Sequence, residues 1–310
     1  MLSNRKTPIS KVPPMTVGSM PNDGGHLLLG HLQRTVIFEL EPDAREFLRP
    51  FVSARELVDG RRRWCLWLVD AGAGRLQRMR LVLERLGEVQ RHRLRSSRRA
   101  TQKSARAPYL FAEIRQPTTE YLLMPSVCRP SWQHLPIGVF QPDVIASNLV
   151  NIVAGATLFH FGVLTSQMHM AWVRQVCGRL KSDFRYSGQI VYNNFPWPAD
   201  APAARQERVA EAAQRVLDVR REYGDGRHGY LPVKKKGGAA SLAALYDLRT
   251  MPTPLLKAHA ALDKAVDRCY RAAAFQSDRE RVEHLFTLYE QLTAPLLPAA
   301  PKGRKGPRSK

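Results

Sequence analysis

The sequence predicts an α+β protein, with an irregular mixed sheet in its larger first part and a small all-helical C-terminal part. Two observations carry this prediction. Between residues 108 and 160, short apolar runs are separated by prolines, which interrupt the interiors of helices and central strands. In roughly the last hundred residues, apolar side chains recur every three or four positions, the period of a helix with one buried face.

Charge is the outstanding feature of the composition. The 310 residues include 48 Lys or Arg and 27 Asp or Glu, a net charge of +21, while the 44% hydrophobic content is that of a globular protein. This balance predicts an anionic partner, with nucleic acid ahead of a membrane surface, although an RNA-binding protein would show the same charge. No apolar run approaches the roughly 18 residues of a spanning helix, so we expect a soluble cytoplasmic protein without a membrane partner.

The first part of the chain is predicted to begin with a flexible basic leader, residues 1–14. A turn follows at PNDGG (residues 21–25), and RRRWCLWLVD (residues 61–70) reads as one buried strand. The four cysteines lie far apart without metal-ligand spacing, so we expect reduced thiols and no metal site.

The strongest concentration of charge lies between Arg61 and Arg106, where fourteen basic residues meet only three acids. Apolar residues from Leu76 to Val89 recur at helical spacing, so arginines occupy the other face of an amphipathic helix. A solvated face is the usual reading of such a run, but an excess of eleven positive charges favours phosphate contact. The predicted phosphate contacts are Arg91, Arg93, Arg95, Arg98 and Arg99.

A junction is predicted from His160 to Pro198, where the backbone pattern changes. Thr165 is placed to cap a helix whose apolar stripe runs from Met168 to Leu180. The run Ile190–Tyr192 resembles a strand, and FPWP (residues 195–198) then holds the chain extended. The aromatic residues of this stretch are predicted to pack in the core rather than to stack on bases.

The C-terminal part is predicted to be helical and to contain the clearest linker, the basic segment 224–238. Ser241 is predicted to cap a short helix, and Ser277 with Glu280 forms a capping-box pattern. The tail, residues 298–310, is predicted to be a basic disordered coil.

Long blocks of the sequence resemble one known family. They include PNDGGHLLL, PYLFAEIRQPTTEYLL, SGQIVYNNFPWP and SLAALYDLRTMPTPLLKAHAALDKAVDRCY. In this order they are similar to the C-terminal part of the MmeI-like type IIL restriction-modification DNA adenine methyltransferases. The resemblance covers roughly residues 15–297. It implies a DNA target-recognition domain at 15–198 and a helical C-terminal domain at 199–297.

The resemblance also implies a nuclease and an S-adenosylmethionine-dependent methyltransferase module elsewhere in such proteins. The methyl-transfer loop, (N/D)-P-P-(Y/F), and a Gly-rich cofactor loop are absent from this sequence, so no catalytic residue and no cofactor are expected in it. The sequence also departs from the family at SVCRPSWQHLP (residues 126–136), within the recognition domain.

Two further groups are predicted to contact DNA. Lys181 and Arg185 are predicted phosphate contacts in the turn after the junction helix, and Tyr186 beside them is a base-contact candidate. Helix termination with solvated charge is the alternative for this turn. Three further base-contact candidates lie in the divergent loop: Arg129, Gln133 and His134.

The function predicted is therefore sequence-specific binding of double-stranded DNA, as the truncated or split recognition portion of an adenine methyltransferase. Three alternatives remain open. A separately encoded catalytic chain restores methyl transfer, the chain is a basic RNA-binding or structural protein, or it is a gene remnant without activity.

Overall fold

The fold is α+β, as predicted, with three small sheets followed by packed helices. The computed structural model describes residues 2–223 and 241–294. The strands in these ranges are β1 (Met15–Val17), β2 (Leu28–Leu29), β3 (Leu48–Val52), β4 (Trp64–Leu66), β5 (Tyr121–Pro125), β6 (Val127–Cys128), β7 (Gly138–Phe140), β8 (Ile145–Ala146), β9 (Val150–Ala154), β10 (Gly178–Leu180) and β11 (Asp183–Arg185). The α-helices are α1 (His31–Leu40), α2 (Ala54–Asp59), α3 (Ala73–Leu76), α4 (Arg80–Leu94), α5 (Arg99–Ser104), α6 (Leu158–Leu164), α7 (Gln167–Val176), α8 (Ala203–Tyr223), α9 (Leu242–Leu245), α10 (Thr253–Tyr270) and α11 (Asp278–Thr293).

The sheets are short and differ in their pairing. The first has the order β1-β9-β5-β7 and is antiparallel, with Leu123 opposite Ile152. The second has the order β10-β11-β6, and the third has the order β2-β4-β3-β8 with a parallel β3–β8 pair. The single strand predicted over residues 61–70 is shorter than expected, because the chain turns where the Ala71 amide donates to the Leu68 carbonyl (3.1 Å).

Two hydrophobic cores lie behind these sheets. The larger one joins the first and second sheets to α6, α7, α8 and α10, so residues on both sides of the predicted boundary at 199 share one core. The smaller one packs α4 on the third sheet through residues such as Met79, Val82 and Val89. The basic helix α4 therefore packs on the smaller hydrophobic core, which is separate from the larger one.

The junction from His160 to Pro198 is the centre of the larger core, although its elements differ from the prediction. Ser166, not Thr165, caps α7, and the helix ends at Val176, before Leu180. Thr165 instead donates to the Leu135 carbonyl (2.7 Å). Residues Gly188–Tyr192 form one π-helical turn rather than a strand, closed by the Asn193 amide on the Gly188 carbonyl (2.8 Å).

The junction aromatics pack as predicted in the core. The Trp172 indole is fully buried and donates to the Val191 carbonyl (3.1 Å). Phe195 and Trp197 meet edge to face with ring centroids 5.5 Å apart. Upstream, the apolar run up to residue 160 does not continue the sheet after β9: the chain turns at Gly155, whose φ of +66° favours glycine, and α6 begins after Thr157.

Residues 2–14, predicted to be a flexible basic leader, lie against the junction. Two neighbouring asparagines hold them there. The Asn193 amide group donates to the Arg5 carbonyl (2.7 Å), and the Asn194 amide group donates to the Ser3 carbonyl (2.9 Å). Leu2, Ile9 and Val12 pack against the larger core. These contacts place a basic segment against the core, which its composition does not predict.

The C-terminal helices lie on α6 and α7. Arg205 near the start of α8 donates to the carbonyl of Arg268 near the end of α10 (2.6 Å). Helices α8 and α10 therefore run antiparallel. Ser241 caps α9 and Ser277 caps α11, as predicted, although the Glu280 carboxylate reaches back to the Gln276 amide. The predicted linker at 224–238 and the tail at 298–310 lie outside the described residues.

Within the described ranges, no helix is both long enough and apolar enough to cross a bilayer.

Candidate DNA interface

The arginine-rich segment forms a helical hairpin of α4, a short turn and α5, which we call the basic hairpin (residues 80–106). Four of the five arginines predicted to contact phosphate are exposed on it: Arg91, Arg95, Arg98 and Arg99. Lys103 and Arg106 are exposed on the same hairpin, although the prediction did not include them. An open groove of about 410 Å³ lies between the helices and is lined by Arg99, Lys103 and Arg106 together with polar and apolar residues.

Most of these cations lack an acidic partner. Arg91 pairs with Glu88 one turn earlier on α4. Within the described part of the chain, Arg95, Arg98, Arg99, Lys103 and Arg106 form no ion pair. Cations left uncompensated at this density attract a polyanion, and phosphates spaced along a nucleic acid backbone satisfy such a row.

The fifth predicted contact, Arg93, is a correction. Its side chain is fully buried, so it offers no surface to a phosphate. Its guanidinium donates five hydrogen bonds of 2.7–3.0 Å to backbone carbonyls: Pro21, Asn22, Ser104, Ala107 and Leu110. Burial lowers the pKa of Arg93, and the negative charge of Asp23 opposes this shift.

Arg93 therefore acts inside the basic hairpin as a tie. It joins the last turn of α5 and the loop after it to the turn at residues 21–22. Five donors in a planar fork suit this task, because a lysine would present three donors from one point. The exposed cations of α5, Arg99 and Lys103, are thus presented from a backbone that Arg93 holds in place.

The turn beneath the basic hairpin is the one predicted at residues 21–25. Asn22 has a φ of +44° and donates to the Thr101 hydroxyl of α5 (3.0 Å). Gly24 has a φ of +66°, and a side chain there would approach the His92 ring to 2.9 Å. The sequence PNDGG therefore fits its place because asparagine and glycine accept this backbone and the close contact.

A second group of cations lies on the sheet β10-β11-β6. Arg185 pairs across the ladder with Val127, which places β11 beside the strand that leads to Arg129. Lys181 stands in the tight turn between β10 and β11 with a φ of +56°. All three cations are exposed and form no ion pair among the described residues. Two groups that were predicted separately thus belong to one surface.

Two of the predicted base contacts are buried, which corrects those predictions. Tyr186 is 3% exposed, and its hydroxyl lies 3.0 Å from Nε2 of His169. His134 is 1% exposed, and its Nε2 lies 3.0 Å from the Asp263 carboxylate. Gln133 is half-buried. Of the four base-contact candidates, Arg129 is the one that is exposed to solvent.

His134 belongs to a buried polar cluster that joins the sheet region to the C-terminal helices. Its ring stacks on His259 with centroids 4.0 Å apart, and Asp263 also accepts from the Gln167 amide at the start of α7 (2.8 Å). Burial lowers the pKa of His259 well below its usual value, with further lowering by the charges of His134 and Arg220. This cluster is structural and offers no open site.

Among the described residues, no group of three His, Cys, Asp or Glu side chains is placed to hold a metal ion. The cysteines carry free thiols, and burial raises the pKa of Cys65 and Cys128. Neither thiol is placed to act as a nucleophile at neutral pH.

Comparisons with known proteins identify the family of the chain. The family model described as MmeI, target recognition domain, matches residues 1–199, and that described as MmeI, C-terminal domain, matches residues 201–297. DNA methyltransferase A of Bacillus subtilis (strain 168) is 36% identical over 293 residues, which are 94% of this chain and 32% of that protein.

Among solved structures, the type IIL restriction-modification enzyme MmeI in complex with DNA is 38% identical with a TM-score of 0.86. The match covers 94% of this chain and 37% of that one, so this chain spans about a third of the length of both relatives. The chain therefore belongs to the family defined by the target recognition domain and the C-terminal domain of MmeI.

Proposed function

We propose that the chain is the DNA-recognition portion of an S-adenosylmethionine-dependent adenine-N6 methyltransferase of a restriction-modification system. The observation that carries this proposal is the basic hairpin, where Arg95, Arg98 and Arg99 are exposed without an ion pair among the described residues and where Arg93 ties the backbone. The solved structure of the relative, 38% identical, is of its complex with DNA. Duplex DNA supplies the regularly spaced anions that this surface requires.

In this proposal the two cationic surfaces have different tasks. Arg91, Arg95, Arg98 and Arg99 bind phosphates, which supplies affinity and orientation without reading sequence. Arg129 is the candidate for reading a base, because a guanidinium donates two parallel hydrogen bonds to O6 and N7 of a guanine in the major groove. Lys181 and Arg185 hold the neighbouring backbone.

Methyl transfer is assigned to no residue of this chain. A bound S-adenosylmethionine supplies the methyl group in such an enzyme, but the described strands offer no parallel strand–glycine loop–helix unit to hold it. We propose that the cofactor module belongs to the two thirds of its relatives' length that this chain does not span, on the same or on a separately encoded polypeptide. The role of the chain is then to bring a chosen adenine to that module.

Fluorescence anisotropy with labelled duplex DNA tests the proposal. A variant with Arg95, Arg98 and Arg99 changed to alanine should bind duplex much more weakly than the wild-type chain. A matched control changes Arg215, Arg221 and Arg279, which are exposed on the C-terminal helices and paired with acids, and removes the same charge. Equal losses in the two variants would show that net charge alone, not the basic hairpin, binds the DNA.

Competition with structured RNA separates the alternative of an RNA-binding protein. The proposal requires that unlabelled duplex DNA displaces the labelled duplex at lower concentration than RNA does. A preference for RNA contradicts it, because an A-form duplex does not present its bases to side chains in the major groove.

A further inference from the structure

A third concentration of positive charge lies on the C-terminal helices, in a groove between α8 and α10. The groove has a volume of about 490 Å³ and is open to solvent on one side. Four cations and three alanines line it: Arg205, Arg208, Lys264, Arg268, Ala261, Ala265 and Ala272.

The helix spacing explains why these cations converge. Arg205 and Arg208 are three residues apart on α8, and Lys264 and Arg268 are four apart on α10, so each pair lies on one face of its helix. Since the helices run antiparallel, the two pairs meet across the groove. The alanines between them leave the space open, where larger side chains would fill it.

The cations of this groove are not neutralised. Arg205 is committed in part, because its guanidinium donates to the Arg268 carbonyl at the end of α10 (2.6 Å). Arg208, Lys264 and Arg268 are exposed and form no ion pair within the described ranges. Glu207 and Glu211 are exposed acids on α8, and neither pairs with any of the four.

The lining limits the chemistry of the ligand. It contains no aromatic ring to stack on a base and no amide or carboxylate to recognise a base edge. A ligand held here is bound through its negative charge and its shape. Backbone phosphates of a nucleic acid fit these conditions, because neighbouring phosphates present a row of anions to a row of cations.

We propose that the α8–α10 groove is a second phosphate-backbone site, by which the C-terminal helices extend the contact of the chain with duplex DNA. The inference rests on the proposed function for the identity of the nucleic acid. The inference goes beyond the proposed function because it gives the C-terminal region a binding role of its own. In this proposal the basic hairpin and the α8–α10 groove both contact one duplex, and the groove contributes affinity without sequence preference.

The test measures the binding of a 40-base-pair labelled duplex at several salt concentrations. The variant changes Arg208, Lys264 and Arg268 to alanine and keeps Arg205, which caps α10. Each lost phosphate contact reduces the slope of log affinity against log salt by about 0.9, so a reduction of roughly 2–3 is expected. The Arg215, Arg221 and Arg279 variant described above is the charge-matched control and should leave the slope unchanged.

The outcomes separate the two proposals. If the groove variant binds like the wild type while the basic-hairpin variant is weakened, the groove inference is overturned and the proposed function stands. If the wild-type chain binds no duplex, both are overturned. If both variants flatten the salt slope, the inference is supported.

A second measurement does not depend on the stability of a triple variant. An iron chelate attached at Ala261→Cys, an exposed position in the groove, should cut the backbone of a bound duplex by hydroxyl radicals. Cleavage near one end of the protected region supports the inference. Absence of cleavage on a duplex that is bound through the basic hairpin overturns it.

Discussion

Replacement of Arg93 by methionine removes the tie of the basic hairpin and keeps most of its volume. The five carbonyls it binds lie in three separate segments, at residues 21–22, 104–107 and 110. The carbonyls of Pro21, Ser104 and Ala107 each keep a backbone donor, the amides of Ala112, Ala107 and Leu110, whereas those of Asn22 and Leu110 lose the guanidinium as their donor. Each buried carbonyl left without a donor costs about 1–3 kcal/mol. We therefore expect a loss of about 3–5 kcal/mol in the free energy of unfolding, a large part of the 5–15 kcal/mol typical of a domain.

Urea unfolding and hydrogen exchange measure this loss separately. The first gives the change in free energy, and the second shows where amide protection disappears. Protection should fall first in α5 and in the turn at residues 21–25, because these segments depend on the guanidinium. The Arg93→Lys variant keeps the charge but presents three donors, so it should recover only part of the stability.

Two results would refute this reasoning. An Arg93→Met variant within about 1 kcal/mol of the wild type would show that the five contacts are not needed. Unchanged exchange in α5, together with weakened DNA binding, would show that Arg93 acts on DNA directly.

Three further predictions concern the core. Gly162→Ala should destabilise the chain by about 1–2 kcal/mol in urea unfolding, since the added carbon would lie 2.7 Å from Val209. Gly87→Ala adds its carbon in open space and should stabilise the chain by up to about 1 kcal/mol. Equal effects of the two substitutions would contradict this. Burial lowers the pKa of His169 to about 3, so the unfolded state binds a proton at a higher pH than the folded state does. The free energy of unfolding should therefore fall by about 2 kcal/mol between pH 7 and 5. A His169→Gln variant should lose that part of the pH dependence, measured by denaturation at each pH. Asp263→Ala should lower the free energy of unfolding by about 3–5 kcal/mol. Asp263→Asn should lower it less, because the amide oxygen of the new side chain still accepts from the Gln167 amide. Thermal unfolding that ranks the two variants the other way would contradict this.

Part of the mistake at Arg93 was avoidable from the sequence. The buried residues of α4 are Val82, Leu86, Val89 and Arg93, spaced four, three and four apart. Arg93 continues the apolar stripe, whereas Arg91 and Arg95 lie off it. An arginine on the buried face of an amphipathic helix needs internal partners, so the helical period marks it as structural.

The same holds for Tyr186, which follows the period of a strand. Phe184 and Tyr186 are two residues apart, and both are buried, while Arg185 between them is exposed. Alternation on one strand therefore separates a core tyrosine from a surface arginine. β11 ends at Arg185, and Tyr186 continues its alternation as the next residue.

Other features depend on distant partners that no local pattern reveals. His134 is buried because Asp263 lies beside it, 129 positions later in the chain. The leader is held because Asn193 and Asn194 meet its backbone. Fold class, the helical C-terminal part and the charge concentration follow from composition and period, whereas these contacts follow from the tertiary structure.

The salt dependence of duplex binding tests the central claim most directly, because it counts the phosphates that the basic hairpin neutralises. For the Arg95, Arg98 and Arg99 triple alanine variant, the slope of log affinity against log salt should be less steep than that of the wild type by roughly 2–3. A slope equal to that of the wild type would mean that these exposed, unpaired arginines do not touch DNA, and would contradict the account.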